Sequence, residues 1–368
     1  MSLFNSSILQ GRLLIDVLRE ICRSLSTAVD GRRQSVVHGR RSAAMAVAVA
    51  VEVENVFMCI SDRGEAVKVM ASFGVVDEDL KVDYKAELLK KVEQGLIPDE
   101  EIRSLIRSQL ERPLSLMGIA NTEEANDTAA LGIYRWPASF YEIMLGKIMK
   151  MSCCYFKDES STLEEAGIAM LELYCERAQI QDGQRVLDIG CGYGSTVFYI
   201  AHKYPNCHIT GITNSVEQKY FVEEQAKKRD LAKNVEIILA DVCTFEAKEQ
   251  YDRILAIESF EEMKNYKLLL NKIAKWMKQD GLLFIQHMCH KDLAYIQEDD
   301  VSIVNHWIVN GTNFSRMCEE YLKNIDGNID ALRNTLRSTS NIEEETLTRL
   351  SSRMRFMCLF FSELMQYK

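Results

Sequence analysis

The sequence predicts an α/β protein: a doubly wound, mostly parallel sheet preceded by an N-terminal helical cap. Three observations carry this expectation. Beyond Thr162, short apolar strands alternate strictly with helical patterns; the first of those strands runs into three closely spaced glycines; and the segment ahead of it repeats apolar residues at helical spacing.

In chain order, the first fifty residues hold no Lys, several Arg (Arg12, Arg19, Arg23, Arg32, Arg33, Arg40, Arg41) and many Ser. Residues 1–80 are read as an N-terminal extension, either organellar targeting sequence or a segment that never packs. From Tyr84, Leu88, Leu89, Val92 and Leu96 recur at three-to-four spacing; Gly95 and Pro98 interrupt, and Asp99, Glu100 and Glu101 open a second helix continued by Ile102, Leu105, Ile106 and Leu110. Residues 113–136 read as a connector into a helix over 139–151, closing a cap that spans 81–150. Residues 151–368 form the main domain. Its helices are expected at 163–177, 196–203, 217–228 and 268–277, and its five strands at 185–189, 208–213, 235–239, 253–257 and 282–287. Strands separated by helices give a parallel sheet covered on both faces, whose ligands sit beyond the carboxyl ends of the strands.

Composition narrows the function. A length of 368 residues, 47% apolar and 27% charged, is enough to build a sizeable core without disulfides. The net charge of −10 disfavours a nucleic-acid partner, because phosphate contacts dominate such affinity. No apolar run is long enough to span a bilayer; 43–53 comes nearest and ends in Glu52 and Glu54. Eleven cysteines, an odd number scattered through apolar runs, read as reduced and intracellular. There is no CxxC pair, and His287, Cys289 and His290 do not share one face of a strand, so no metal site is expected.

The first main strand ends Val186-Leu187-Asp188-Ile189-Gly190-Cys191-Gly192-Tyr193-Gly194-Ser195. Gly190, Gly192 and Gly194 allow a tight turn and close approach to a ligand. Their spacing differs from the GxGxxG that seats a pyrophosphate on a helix N-terminus. A preceding Asp188 suits an amino-acid tail beside a positive sulfonium, as in S-adenosylmethionine; a purely structural turn is the alternative. Thr213, Asn214 and Gln218 follow the second strand and offer hydrogen bonds to a ribose or methionine tail. Asp241 and Val242 follow the third, an acid for the adenine amino group and an apolar cover for the ring. The second strand lacks the ribose-binding acid of a nicotinamide site.

Several stretches now resemble the plant coclaurine (tetrahydroisoquinoline) N-methyltransferases, within the wider cyclopropane-fatty-acid-synthase-like methyltransferases. They are Ser152-Cys153-Cys154-Tyr155-Phe156-Lys157-Asp158, Val186 to Gly194, Thr213-Asn214-Ser215-Val216, Tyr251 to Tyr266, His290-Lys291 and Val304-Asn305-His306-Trp307. The resemblance implies a Rossmann-like class I methyltransferase fold and methyl transfer from S-adenosylmethionine to an amine or, in the lipid branch, to an alkene. It also implies that Tyr155 lies against the cofactor.

Such a reaction needs a base to take a proton from an ammonium substrate. Glu258, Glu261 and Glu262 follow the fourth strand at i, i+3 and i+4, where one helical face would hold them together as a base or as solvated glutamates in a first turn. The resembled family has Glu-His where this chain has Glu261-Glu262, so Glu258 and Glu261 match and Glu262 does not. Segments around Pro113, between Gln297 and Glu298 and after Lys368 look missing, as in a shortened or splice-variant form. The expectation is a cytoplasmic N-methyltransferase of a small benzylisoquinoline-like amine, without stable membrane insertion and compatible with a homodimer. A catalytically impaired cofactor-binding isoform and a lipid C-methyl or cyclopropane transferase are the alternatives, as is an organellar address carried by the Arg- and Ser-rich N-terminus.

Overall fold

A computed structural model describes residues 46–54, 91, 94–110, 137–260, 263, 265–289, 302–339 and 344–366. The predicted helix from Tyr84 lies almost wholly outside these residues, as do the junctions at Pro113 and Gln297, His290, Glu261 and Glu262.

Alternation of the two periodicities produces the expected elements. Helix α1 (Asp99–Leu110) and α2 (Ala138–Leu145) precede α3 (Leu163–Arg177). Then come β2 (Arg185–Ile189), α4 (Ser195–Lys203), β3 (His208–Thr213), α5 (Val216–Lys228), β4 (Val235–Leu239), β5 (Tyr251–Ile257), α6 (Tyr266–Trp276) and β6 (Met277–Cys289). The chain continues through β7 (Ser302–Trp307), α7 (Thr312–Gly327), α8 (Ile329–Thr339) and α9 (Glu344–Gln366). Helix α3 begins where its sequence says it should: Thr162 Oγ1 accepts from Glu165 N–H at 3.2 Å while Glu165 Oε2 accepts from Thr162 N–H at 2.9 Å, a reciprocal capping box. Helix α2 is shorter than the expected 139–151, because Gly146 turns left-handed at φ 73° and releases a connector that carries residues 146–162.

Among the described residues the sheet has seven strands; with Ala46–Glu54 as β1, their order is β4-β3-β2-β5-β6-β1-β7, every pairing parallel. Its two added members are β7 and β1 (Ala46–Glu54), the latter lying between β6 and β7. Part of the segment expected to be an extension is thus a strand; the repeating Ala-Val of 46–51, with a β-branched residue at every second position, suits a pleated ladder. Strand β6 also begins earlier than expected, at Met277, with the polar run Lys278-Gln279-Asp280-Gly281 bulging between the Tyr251–Met277 and Arg253–Leu282 pairs.

From β2 the chain winds outward to β3 and β4, then returns to β5 on the other side of β2. The crevice at this switch point, between the carboxyl ends of β2 and β5, is where such sheets bind ligands. One core cluster, with Leu187, Ile254, Leu269 and Trp276, fills the space under α6; another joins Met170, Tyr174 and Phe284 to Tyr321 and Phe356 of the C-terminal helices. The helical cap is closed by both halves of the chain. Arg103 of α1 bonds Glu319 of α7 at 3.0 Å and Glu363 of α9 at 2.9 Å, and Arg355 of α9 pairs with Asp99 at 2.6 Å.

Candidate active site

Strand β2 delivers Asp188 to the switch point, buried and in register with Gly211 on one side and Leu255 on the other. The loop that follows folds over β3 because the N–H groups of Gly190 and Cys191 both donate to the Ile212 carbonyl, at 3.0 and 2.9 Å. All three glycines are left-handed, at φ 77°, 53° and 81°. Their reasons differ. A Cβ on Gly190 would stand 2.9 Å from Ser259 Cβ, and one on Gly194 would stand 3.0 Å from Phe198 and Val222, so these two are glycines for packing. Among the described residues, a Cβ on Gly192 would meet nothing within 4 Å and would project into open space.

The polar residues after β3 are tied to one another. Thr213 Oγ1 donates to Gln218 Oε1 at 2.6 Å and accepts from Ser215 N–H at 3.1 Å, while Ser215 Oγ caps α5 by accepting from Gln218 N–H at 3.3 Å. Thr213 therefore orients Gln218, and Asn214 is exposed at the rim. After β4, Asp241 Oδ1 accepts from Cys243 N–H at 2.8 Å and so also closes a turn. Val242 is buried with Ile189, Ile212 and Phe260 in the core beneath the strand ends. Tyr155 lies half-buried on the connector, its N–H donating to the Ala166 carbonyl at 3.0 Å.

Glu258 departs from the helical-face expectation. Its φ is 47°, a left-handed backbone that places it outside any helix and turns its side chain inward. Its N–H donates to the Gln286 carbonyl at 2.7 Å, and its Oε1 accepts from Cys153 N–H at 2.8 Å and from Gln286 Nε2 at 2.9 Å. Glu258 is thus a fixed group at the end of β5 and not one of three solvated glutamates; Glu261 and Glu262 lie outside the described residues. Burial pushes its carboxyl above the usual carboxylate range, against the pull of Lys150, Cys153 N–H and Gln286. Burial also pushes Asp188 up to about 7, against the pull of the same lysine.

Lys150 and Gln286 escaped sequence reasoning. Their signals were present as isolated polar residues in apolar runs, Ile148-Met149-Lys150-Met151 and Leu282 to Ile285 followed by Gln286. His287 is buried and burial pulls its imidazole down to about 4, which leaves it neutral near pH 7. Among the described residues no group of His, Cys, Asp and Glu is arranged to hold a metal ion. Among the same residues no helix is long and apolar enough to cross a membrane. A separate cavity of about 260 Å³, lined by Leu145, Ile148, Leu163 and Asn324, includes Lys150 and Cys154 but none of the glycine loop.

Three features fit S-adenosylmethionine at the switch point. Open space faces Gly192. Two buried polar atoms there, Ser259 Oγ and Gln286 Oε1, have no hydrogen-bond partner among the described residues. Finally, two carboxylates, buried Asp188 and half-buried Glu258, sit at the ends of neighbouring strands where a cationic ligand would favour their charged forms.

The comparisons with known proteins agree. The family model described as mycolic acid cyclopropane synthetase matches residues 123–342. The chain is 44% identical to an (S)-coclaurine N-methyltransferase of Thalictrum flavum subsp. glaucum, over 76% of this chain and 91% of that one. It is 42% identical to an (S)-coclaurine N-methyltransferase of Papaver somniferum, over 78% and 96%. Among solved structures, coclaurine N-methyltransferase bound to N-methylheliamine and SAH superposes with a TM-score of 0.72 at 42% identity, covering 77% of this chain and 95% of that one.

Proposed function

Because the chain belongs to the mycolic acid cyclopropane synthetase family, as an S-adenosylmethionine-dependent methyltransferase, we propose that it N-methylates a small benzylisoquinoline-like amine, with Glu258 as the group that receives the amine's proton. The observation that carries this reading is the Glu258 carboxylate, held inward at the switch point by Cys153 N–H and Gln286. Relatives named for pavine and tetrahydroprotoberberine N-methylation, 40% and 39% identical, support an amine over an alkene.

In this reading the open space over Gly192 admits the cofactor's amino-acid end, with Asp188 facing its ammonium. Gln218, oriented by Thr213, and Asn214 serve the ribose or methionine tail, Asp241 the adenine amino group, and Tyr155 one wall. When bound, S-adenosylmethionine supplies an electrophilic methyl carbon on a sulfonium sulfur. The protein's task is to make an amine lone pair available beside it. A cationic amine is drawn to Glu258 and transfers one N–H proton to its carboxylate, leaving a neutral nitrogen and a carboxylic acid. Burial favours that outcome, since a raised carboxyl holds a proton more readily near neutrality. Glu261 and Glu262 join Glu258 as catalytic residues on the resemblance alone, Glu261 by its match to the family and Glu262 in place of the family's His. A cytosolic homodimer completes the reading.

Calorimetric titration with S-adenosylhomocysteine, followed by a methyl-transfer screen over benzylisoquinoline and phenethylamine substrates, tests it. Binding with turnover on a secondary amine is expected. Tight binding without turnover on any amine replaces this reading with that of a cofactor-binding chain, which the Glu262 mismatch favours.

A further inference from the structure

The peptide group between Ser152 and Cys153 is hydrogen-bonded to a charged side chain at each end. Its carbonyl accepts from Lys150 Nζ at 3.1 Å, and its N–H donates to Glu258 Oε1 at 2.8 Å. Lys150 is only 2% exposed. Its Nζ also donates to Tyr174 OH at 2.9 Å and to Ser152 Oγ, and it stands 4.8 Å from the centre of the Tyr174 ring. Three oxygen acceptors match the three N–H donors of an ammonium. The lysine's own carbonyl accepts from Tyr321 OH, so α3 fixes the side chain and α7 fixes the main chain.

A lysine this deeply buried is costly to keep charged unless it is compensated. Burial pulls its ammonium below the usual lysine range, and two carboxylates, Glu258 and Asp188, pull it back up. The groups facing Glu258 from every neighbouring element are Lys150, Cys153 and Cys154 of the connector, Tyr174 of α3, Gln286 of β6, and Cys318 and Tyr321 of α7. Burial raises all three thiols and both phenols, Cys154 to about 11, so these are neutral near pH 7. Among the described residues, Lys150 is the cation that faces Glu258.

We propose that Lys150 is a positioning residue for methyl transfer: acting through the Ser152–Cys153 peptide and by its charge, it keeps Glu258 ionised and aimed to receive the substrate's proton. The inference rests on the reading of Glu258 as proton acceptor. Hydrogen bonds in series polarise one another, so a cation on the carbonyl strengthens the N–H that holds the carboxylate. A purely structural lysine would tie the connector to α3 without changing the titration of Glu258.

Lys150→Met, which keeps side-chain length without charge, separates the two. Infrared difference spectra across pH would follow the protonated-carboxyl band of Glu258, identified by its loss in Lys150→Met/Glu258→Gln. The midpoint is expected to rise by at least one pH unit over the unsubstituted chain, and the acid limb of the kcat/KM profile with it, so that activity lost at pH 7 returns at higher pH. An unmoved midpoint, or a loss equal at all pH values, overturns the proposal. Should Lys150→Met fail to fold, Tyr174→Phe leaves the lysine in place with one acceptor fewer; a smaller upward shift supports the proposal and none overturns it. The infrared midpoint needs no turnover, so it decides the role of Lys150 even if the chain methylates no amine.

Discussion

Glu258 and Cys153 stand 105 residues apart in the sequence and are joined by a hydrogen bond of 2.8 Å from the Cys153 N–H to Glu258 Oε1. That bond brings the connector ahead of α3 to the carboxyl end of β5 and puts a carboxylate at the switch point of the sheet. Glu258→Gln keeps an oxygen that can accept from Cys153 but removes the charge and the basicity. Turnover on an amine is expected to fall by about 10²–10⁴-fold, with S-adenosylhomocysteine affinity within a few-fold of the starting value. Steady-state kinetics beside calorimetry check this, and undiminished turnover would remove Glu258 from the chemistry.

A second substitution bears on the same step. Glu262 stands where the resembled family has His, so Glu262→His is expected to raise turnover on a secondary amine without altering S-adenosylhomocysteine affinity. Adding Glu261→Gln should cancel most of the gain, because a neutral amide cannot orient an imidazole by charge. If no amine in a broad panel responds, the base is not what limits this chain.

The glycine loop can be dissected by position. Gly192→Val projects into open space, so its structural cost is the left-handed backbone, about 1–2 kcal/mol, while cofactor affinity should drop at least a hundredfold. Gly194→Val instead drives a side chain into Phe198 and Val222 and should lower the melting temperature well beyond the Gly192 variant. Equal S-adenosylhomocysteine affinity in the Gly192 variant and the unsubstituted chain would take the loop out of the site.

Asp241 closes a turn through Cys243 N–H, so alanine alone cannot separate that task from ligand binding. Asp241→Asn retains an oxygen for the turn and loses the charge. The expected result is an unchanged melting temperature with adenosyl affinity weakened by about 1–3 kcal/mol, and Asp241→Ala losing both. If the Asn variant binds as tightly as the starting protein, the acid serves the turn only.

What the sequence made legible was local. The bounds of α3, β2, β3 and β4 follow from periodicity and capping, and the ligand-facing loop follows from Asp188 and three glycines within five residues. Strand β1 was hidden by its Arg- and Ser-rich surroundings, and the end of α2 by a single left-handed Gly146. The buried network was illegible for a different reason. Lys150, Glu258 and Gln286 meet only after the sheet has formed, and Glu258 turns inward through a backbone conformation that no residue pattern announces for a glutamate.

Burial pushes the Asp188 carboxyl up to about 7. In the unfolded chain an aspartate titrates near ~3.9. Between those values the native state keeps a proton that the unfolded state has released, so this group's contribution to stability is full below the lower value, declines as pH rises, and levels off above about 7. At roughly 1.4 kcal/mol per unit of difference, the decline amounts to a few kcal/mol. Asp252 and Glu319 have lowered carboxyls and act in the opposite sense, losing stability on acidification, so a bare stability curve would mix the two. Asp188→Asn isolates the Asp188 contribution. The variant is expected to gain on the unsubstituted chain steadily from pH 5 to about pH 7 in chemical-denaturation midpoints and to hold that gain to pH 8, because the buried negative charge never forms. Saturating S-adenosylhomocysteine should narrow that gap at pH 8, since an ammonium beside Asp188 stabilises the charged form in the one protein and has no anion to meet in the other. Parallel profiles from pH 5 to pH 8 would mean that Asp188 is ionised and solvated throughout.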